Sequence, residues 1–156
     1  MESALDLAGQ PVKRGTMAHK HIVYMMLADA AAQLRDSAAL AKYTPLLEEL
    51  AEQDGHQAYL AVAHRAWGVA HRLVGEFAAA EERLQQALNI FEEREAQWQV
   101  GRTLVELAEL ALAEDDEVGA RNHYARALDA FELLGAKPEV ERTRTALDLL
   151  TAASST

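Results

Sequence analysis

The chain has no cysteine, only three prolines and eight glycines, and few aromatic residues, which make up 6% of its 156 residues. Without cysteine it forms neither disulfide bonds nor a thiolate site. Runs rich in valine and isoleucine are also missing, whereas alanine and leucine supply most of the apolar residues. This composition favours closely packed helices over a sheet. We therefore expect an all-helical (all-α) protein.

Basic residues are scarce, and the formal net charge is −10 with neutral histidines. An acidic chain repels phosphate backbones, so we expect no direct nucleic-acid partner. No apolar run reaches the length of a membrane span, and residues 1–20 lack the apolar core of a signal peptide. These absences predict a soluble, cytoplasmic domain with no membrane partner.

The spacing of apolar residues predicts seven helices separated by short turns. They are expected at about residues 17–35, 38–53, 57–74, 77–94, 97–114, 118–134 and 138–152. Asp36 is suited to cap the second helix, and Gly135 is suited to end the sixth in the left-handed conformation. We expect a flexible leader over residues 1–16, one helical domain over 17–153 and a frayed tail over 154–156.

An internal repeat of forty residues is the strongest signal in the sequence. The pairs forty residues apart are Trp67 and Leu107, Gly68 and Ala108, Ala80 and Ala120, Leu84 and Tyr124, Ala87 and Ala127, Leu88 and Leu128, and Phe91 and Phe131. In the first unit the second helix aligns better at forty-one, which implies a turn one residue shorter. The repeat predicts three hairpins, at about 17–53, 57–94 and 97–134, and a capping helix at about 138–152.

The repeat also carries a family resemblance. The ordered residues Trp67, Gly68, Gly75, Phe77, Ala80, Leu84 and Ala87 resemble the tetratricopeptide (TPR) repeat. Units of forty residues exceed the usual length of about 34 and are similar to the long units of bacterial signalling and transcription regulators. The resemblance implies a right-handed helical-repeat solenoid with a concave groove. We expect the large residues of the repeat to be buried and Gly68 to make a close interhelical contact.

Residue patterns that carry enzyme chemistry are missing. There is no glycine-rich phosphate loop, no G-x-S-x-G and no Glu-x-x-His. His64 and His71 lie seven residues apart, whereas zinc-binding pairs on helices usually lie four apart. Histidines that pack and hydrogen-bond are the commoner case. The sequence therefore predicts no catalysis, no metal site and no cofactor.

The TPR resemblance implies which residues of the first helices face the groove. They are Ile22, Met25, Asp29 and Ala32 in the first unit, Val62, Arg65, Val69 and Arg72 in the second, and Arg102, Val105, Glu109 and Leu112 in the third. Three arginines of this set form a cluster in an otherwise acidic chain.

Two explanations of the arginine cluster stand side by side. In the first, Arg65, Arg72 and Arg102 bind carboxylates of a partner, because guanidinium groups pair with carboxylates through two hydrogen bonds. The other groove residues would then complete the site, with Ile22 and Met25 as a hydrophobic subsite. In the second explanation, Arg65 and Arg102 pair with Glu106 and Glu109 of the same chain.

We expect the protein to be a non-catalytic scaffold or adaptor that binds a protein or peptide segment in the groove. The alternative is a regulatory sensor module that binds a small ligand or signalling peptide there. Self-assembly into a homo-oligomer through the ends of the stack is compatible with either function.

Overall fold

The computed structural model describes residues 17–154, whose regular structure is entirely helical. The helices are α1 (Met17–Gln33), α2 (Ser37–Asp54), α3 (Gln57–Leu73), α4 (Phe77–Glu93), α5 (Gln97–Ala113), α6 (Glu117–Leu134) and α7 (Lys137–Ser154). Every predicted boundary lies within two residues of the observed one. None of the helices described over this range is long and apolar enough to cross a membrane.

The predicted leader over residues 1–16 lies outside the described residues. At the other end, Ser154, the first residue of the predicted tail, belongs to α7. Residues 155 and 156 also lie outside the described range.

The six turns between these helices share one backbone geometry at intervals of twenty residues. The left-handed residues of the turns are Arg35, Gly55, Gly75, Glu95, Asp115 and Gly135. After each of them, an amide donates to the carbonyl five residues back, as in the bond from Asp36 to Ala31 at 3.0 Å. This bond is typical of the Schellman motif that ends many helices. The carboxylate of Asp36 also accepts from the amide of Ala39 at 3.1 Å, so the predicted caps at Asp36 and Gly135 are confirmed.

The first hairpin follows the same forty-residue register as the others, so the predicted offset of forty-one is wrong. The buried positions that α2, α4 and α6 share are Leu40, Ala80 and Ala120; Thr44, Leu84 and Tyr124; Leu47, Ala87 and Ala127; and Ala51, Phe91 and Phe131. The connectors 34–36, 74–76 and 114–116 are equally long, so no residue is missing. Hydrophobicity favoured the wrong alignment because a polar residue, Thr44, occupies a core position of the first unit.

Glycines bring the helices of two hairpins into close contact. A Cβ atom added to Gly68, in the second half of α3, would lie 2.5 Å from Cγ of Leu84, at the middle of α4, and 3.4 Å from the carbonyl oxygen of Ala80, in the first turn of α4. A Cβ atom on Gly101, near the start of α5, would lie 2.6 Å from the ring of Phe131, near the end of α6. These pairings show that the helices of these two hairpins run antiparallel. The predicted close contact of Gly68 is confirmed, and the contact of Gly101 is a further one.

The repeat predicted most of the core correctly. Six of the eight large residues expected to be buried are buried, namely Leu84, Leu88, Phe91, Leu107, Tyr124 and Phe131. Trp67 and Leu128 are instead half-buried. The ring of Trp67 stacks on His71 at 5.8 Å and lies 5.6 Å from the guanidinium of Arg83, so polar groups cover part of it.

The first helices of the hairpins also pack on one another. Helix α3 contacts both α1 and α5, so these three helices form one continuous surface. Helix α7 corresponds to the first helix of a hairpin, in the position where a fourth hairpin would begin. Thr143 of α7 is buried like Thr103 of α5, and each hydroxyl donates to the carbonyl four residues back at 2.7 Å. However, α7 packs mainly on α6, and among the described helices it has no comparable contact with α5. We call the surface of α1, α3, α5 and α7 the first-helix face.

Candidate functional site

A carboxylate of the first unit joins all three repeat units on the first-helix face. Asp29 of α1 accepts two hydrogen bonds from Arg102 of α5, both at 3.0 Å, and one from Arg65 of α3 at 3.2 Å. Burial by itself would raise the pKa of Asp29, but the hydrogen bonds and charges of Arg102 and Arg65 outweigh it, so the pKa is lowered. Asp29 is therefore ionised at neutral pH and holds the two guanidinium groups together.

Arg65 is a buried structural residue, with only 2% of its surface exposed. Besides Asp29, it donates to Oε1 of Gln99 at 2.7 Å and to the hydroxyl of Thr103 at 3.3 Å. Its guanidinium also lies 5.3 Å from the ring centre of Phe91. Burial and the nearby charge of Arg102 lower the pKa of Arg65 to about 10, so it remains charged at neutral pH. A buried charge needs such partners, and Arg65 has no free surface to offer a ligand.

A second group of ion pairs links the turn after α1 to α3 and α5. Glu106 accepts from Arg35 and from Arg72, each at 2.8 Å. Glu109 also pairs with Arg35, and it lies 3.1 Å from Arg72. Burial alone would lower the pKa of Arg35, but the charges of Glu106 and Glu109 raise it overall. Each of these arginines is thus held by two carboxylates of the chain.

All three arginines of the predicted cluster pair with carboxylates of the same chain. The carboxylates expected for Arg65 and Arg102 are not the ones that they reach. Arg65 and Arg102 pair with Asp29. It is Arg72, with a side chain only 9% exposed, that pairs with Glu106. Repeat spacing identified the face on which the arginines lie but not the carboxylate that each one reaches.

A cavity of about 390 Å³ opens on the first-helix face where α5 and α7 lie apart. Its apolar lining comes from Trp98, Val105, Tyr124, Phe131 and Ala146. Its polar lining comes from Gln33, Arg35, Arg102, Glu106, Glu109, Glu139, Arg142 and Thr143. The cavity therefore has an aromatic and aliphatic wall next to charged groups, and it reaches the ion pairs described above.

Two aromatic residues give the cavity its character. Trp98 is 41% exposed and meets Phe131 edge to face, with ring centres 5.8 Å apart. Tyr124 is buried at the cavity wall, and burial together with the charges of Glu109 and Glu106 raises the pKa of its hydroxyl. The tyrosine is therefore neutral at physiological pH. A large exposed indole beside a cavity is a common anchor point for a ligand.

The remaining predicted site residues differ in their access to solvent. Val69 is fully buried, so the expectation that it contacts a partner does not agree with its position. Met25 is half-buried and packs against the core, while Ile22 is exposed. The sequence analysis did not single out Trp98 or Arg142. A signal for Arg142 was present, because it repeats Arg102 at an offset of forty residues, whereas Trp98 aligns with Ala58 and had no such signal.

The histidines show no arrangement typical of a metal site. Within residues 17–154, no three His, Cys, Asp or Glu side chains lie close enough together to hold a metal ion. Nδ1 of His64 lies 2.9 Å from Arg83, and burial and this positive charge lower the pKa of His64. His71 stacks on Trp67. In this structure His64 and His71 therefore make packing and hydrogen-bond contacts.

Comparison with known proteins adds no relative to this description. No protein-family model matches the chain, and no curated protein is similar enough to it to indicate a relationship. Conclusions about function therefore depend on the geometry of the first-helix face.

Proposed function

We propose that the chain is a right-handed TPR-like solenoid that acts as a non-catalytic scaffold or adaptor, binding a segment of a protein partner on the first-helix face. The forty-residue register of the three hairpins and the contacts of α3 with α1 and α5 support the solenoid architecture. In such repeats each unit packs on its neighbours and leaves one extended surface free for binding.

The observation that carries this proposal is the cavity on that surface, with Trp98 exposed at its edge. Ion pairs of three carboxylates, Asp29, Glu106 and Glu109, connect three helices along the same surface. They join α1 and the turn that follows it to α3 and to α5. This preorganisation lowers the conformational entropy that the chain itself loses when a partner binds. The binding residues we propose are therefore those at the cavity, rather than the buried Arg65.

The experiment compares a variant of the cavity with a charge reversal on the second helices of the hairpins. Arg142→Glu, combined with Trp98→Ala, alters the cavity. Arg126→Glu is the matched control, because Arg126 also pairs with a glutamate, Glu92, but links the second helices α4 and α6. Each variant is immobilised, exposed to lysate of the source cell and analysed by mass spectrometry, and circular dichroism checks that it is folded.

A protein captured by the wild type and by Arg126→Glu, but lost with the cavity variant, is the expected result. If the folded cavity variant captures the same protein equally well, the first-helix face is not the binding surface.

The second candidate function is the regulatory sensor, in which the same cavity binds a small ligand. Its volume of about 390 Å³ favours this candidate, because it lies within the range of roughly 300–1,000 Å³ found for small-molecule sites. A metabolite mixture that raises the melting temperature of the wild type but not of the cavity variant would support the sensor.

A further inference from the structure

One side of α1 is apolar and exposed to solvent. Ile22, Met26 and Ala30 follow one another at intervals of four residues, so they lie in one row along the helix. Ile22 is 43% exposed, Met26 is 60% exposed, and Ala30 is also exposed. We call these three residues the α1 stripe, and none of them has a charged or polar side chain.

The repeat shows what kind of surface the α1 stripe is. Val62 and Ala66 of α3, forty residues after the first two members of the stripe, are only 4% and 1% exposed. Helix α3 packs on a first helix on each side, α1 and α5, whereas α1 packs mainly on α3 among the described first helices. The α1 stripe is therefore the first unit's equivalent of a surface that neighbouring helices cover in α3.

The α7 end of the stack is charged instead. Arg144 and Asp148 of α7 are exposed. The residues forty positions earlier in α5, Leu104 and Ala108, are buried. A polar outer face is typical of the unit that caps a repeat stack. A head-to-tail contact between the α1 stripe of one copy and the α7 end of another would bury these charges, so the two ends do not fit each other.

The α1 stripe does fit a second copy of itself. Met26 lies next to the midpoint of α1, so a two-fold axis that passes through Met26 at right angles to the helix places two α1 helices antiparallel. In that arrangement Met26 meets Met26, and Ile22 meets Ala30 on both sides of the axis, so a large side chain faces a small one. In a parallel pair Ile22 would face Ile22 and Ala30 would face Ala30, which leaves a gap at one end.

The charge of the chain also favours this contact between copies. Because the net charge is −10, two copies repel each other over most of their surfaces. Asp29 is the one carboxylate in the sequence of α1, and Arg65 and Arg102 pair with it. By contrast, the most exposed large apolar residue of the described chain, Leu133, directly follows Glu132 in the sequence. Two copies that meet at the α1 stripe therefore bring little like charge together.

We infer that two copies of this chain form a two-fold symmetric dimer through the α1 stripe, with antiparallel α1 helices that cross at Met26. The dimer goes beyond the proposed adaptor function and does not depend on the cavity. Each copy uses the same surface, so the contact closes on itself and assembly stops at two copies. A helix of 17 residues is about 25 Å long, which makes a small interface, and we expect a dissociation constant on the order of 10 μM.

Disulfide cross-linking tests the inference directly, because the chain has no cysteine and each introduced thiol reports on one position. Met26→Cys, Ile22→Cys and Ala30→Cys are made singly in the full chain. Leu133→Cys, at a residue of α6 that is 78% exposed, is the matched control. Each protein is oxidised at a concentration of about 100 μM, well above the expected dissociation constant, and analysed by non-reducing electrophoresis.

We expect a linked dimer from Met26→Cys alone, and from an equimolar mixture of Ile22→Cys and Ala30→Cys. Neither member of that mixture should link with itself, because identical positions then lie about 12 Å apart along the antiparallel helices, whereas a disulfide needs Cα atoms roughly 4.4–6.8 Å apart. Leu133→Cys should remain unlinked.

Sedimentation equilibrium measures the same contact without a covalent bond. We expect the wild type to be dimeric at about 100 μM. Met26→Glu should weaken the dimer by at least about a hundredfold, because it places two like charges opposite each other, whereas Leu133→Glu should leave it unchanged. Circular dichroism checks that each variant is folded.

Each of the other outcomes overturns the inference. A wild type that is monomeric at about 100 μM excludes the dimer. If the cysteine of Met26→Cys then also resists a maleimide reagent, another part of the chain, such as residues 1–16, covers the stripe. If the monomer instead captures a cellular protein that Met26→Glu loses, the stripe binds a different partner. A dimer that Met26→Glu leaves intact lies elsewhere on the chain, and linking of Ile22→Cys with itself would show parallel helices.

Discussion

The contact between Gly68 and Leu84 provides a quantitative test of the repeat packing. In Gly68→Ala the new methyl group would lie 2.5 Å from Cγ and 2.6 Å from Cδ2 of Leu84, which is fully buried and has little room to move. Overpacking of this kind costs about 1–3 kcal/mol. Alanine gains about 1 kcal/mol of helix propensity over glycine. We therefore expect a net loss of about 1 kcal/mol in the free energy of unfolding.

Removing the opposing side chain should reverse the sign of this effect. Leu84→Ala alone should cost about 2–5 kcal/mol, because it leaves a cavity in the core. In that background the methyl group of Gly68→Ala meets no branched side chain, so only the propensity gain of about 1 kcal/mol remains. The double-mutant cycle should therefore give a coupling free energy of about 2 kcal/mol between the two positions.

Urea unfolding followed by far-ultraviolet circular dichroism measures all four proteins of the cycle. Gly68→Leu serves as a stronger perturbation and should cost more than Gly68→Ala. If Gly68→Ala stabilises the wild type by as much as it stabilises Leu84→Ala, the coupling is zero. The two helices then do not approach as closely as the glycine contact requires.

Two further predictions concern charge and backbone strain. Asp29→Asn should cost about 3 kcal/mol at pH 7, because it leaves the buried Arg65 without its counter-charge, whereas Glu92→Gln at the exposed pair should cost less than about 0.5 kcal/mol. The pKa of Asp29 is lower in the folded state than the unfolded value of about 3.9, so its contribution is present above that pH and is lost as the pH falls through the folded pKa. Urea unfolding should therefore show a smaller difference in the free energy of unfolding between the wild type and Asp29→Asn at pH 3 than at pH 7. An equal difference at the two pH values would contradict the lowered pKa of Asp29. Glu95 and Gly75 both have left-handed backbone conformations, which glycine adopts more easily than other residues. Glu95→Gly should therefore raise the free energy of unfolding by about 1 kcal/mol, and Gly75→Ala should lower it by about 1 kcal/mol. Effects of the same sign at the two positions would contradict this explanation by backbone strain.

The positions of the helices could be predicted because their signals are local. Apolar spacing, the cap at Asp36 and the turn glycines each act within a few residues, and the predicted boundaries differ from the observed ones by at most two. The predicted offset of the first hairpin was wrong for a related reason. At Thr44 the core position holds a polar residue, so a comparison of hydrophobicity alone selected the wrong offset.

The partners of the charged residues could not be read from the sequence. Asp29 and Arg102 are separated by 73 positions along the chain, and their contact exists because α1 and α5 both lie beside α3. Repeat spacing placed these residues on one face, but several arginines and carboxylates on that face were equally acceptable partners. Only side-chain reach across the packed helices selects among them.

The sequence by itself determined the helices, the forty-residue repeat and the acidic character of the chain, since each depends on residue type and spacing. The tertiary structure alone decided which arginines are buried and where a cavity opens. Arg65 is buried because α3 lies between α1 and α5, and the cavity beside Trp98 exists because α7 packs mainly on α6 and leaves space next to α5. Both features depend on the distances between helices, which no local pattern of residues specifies.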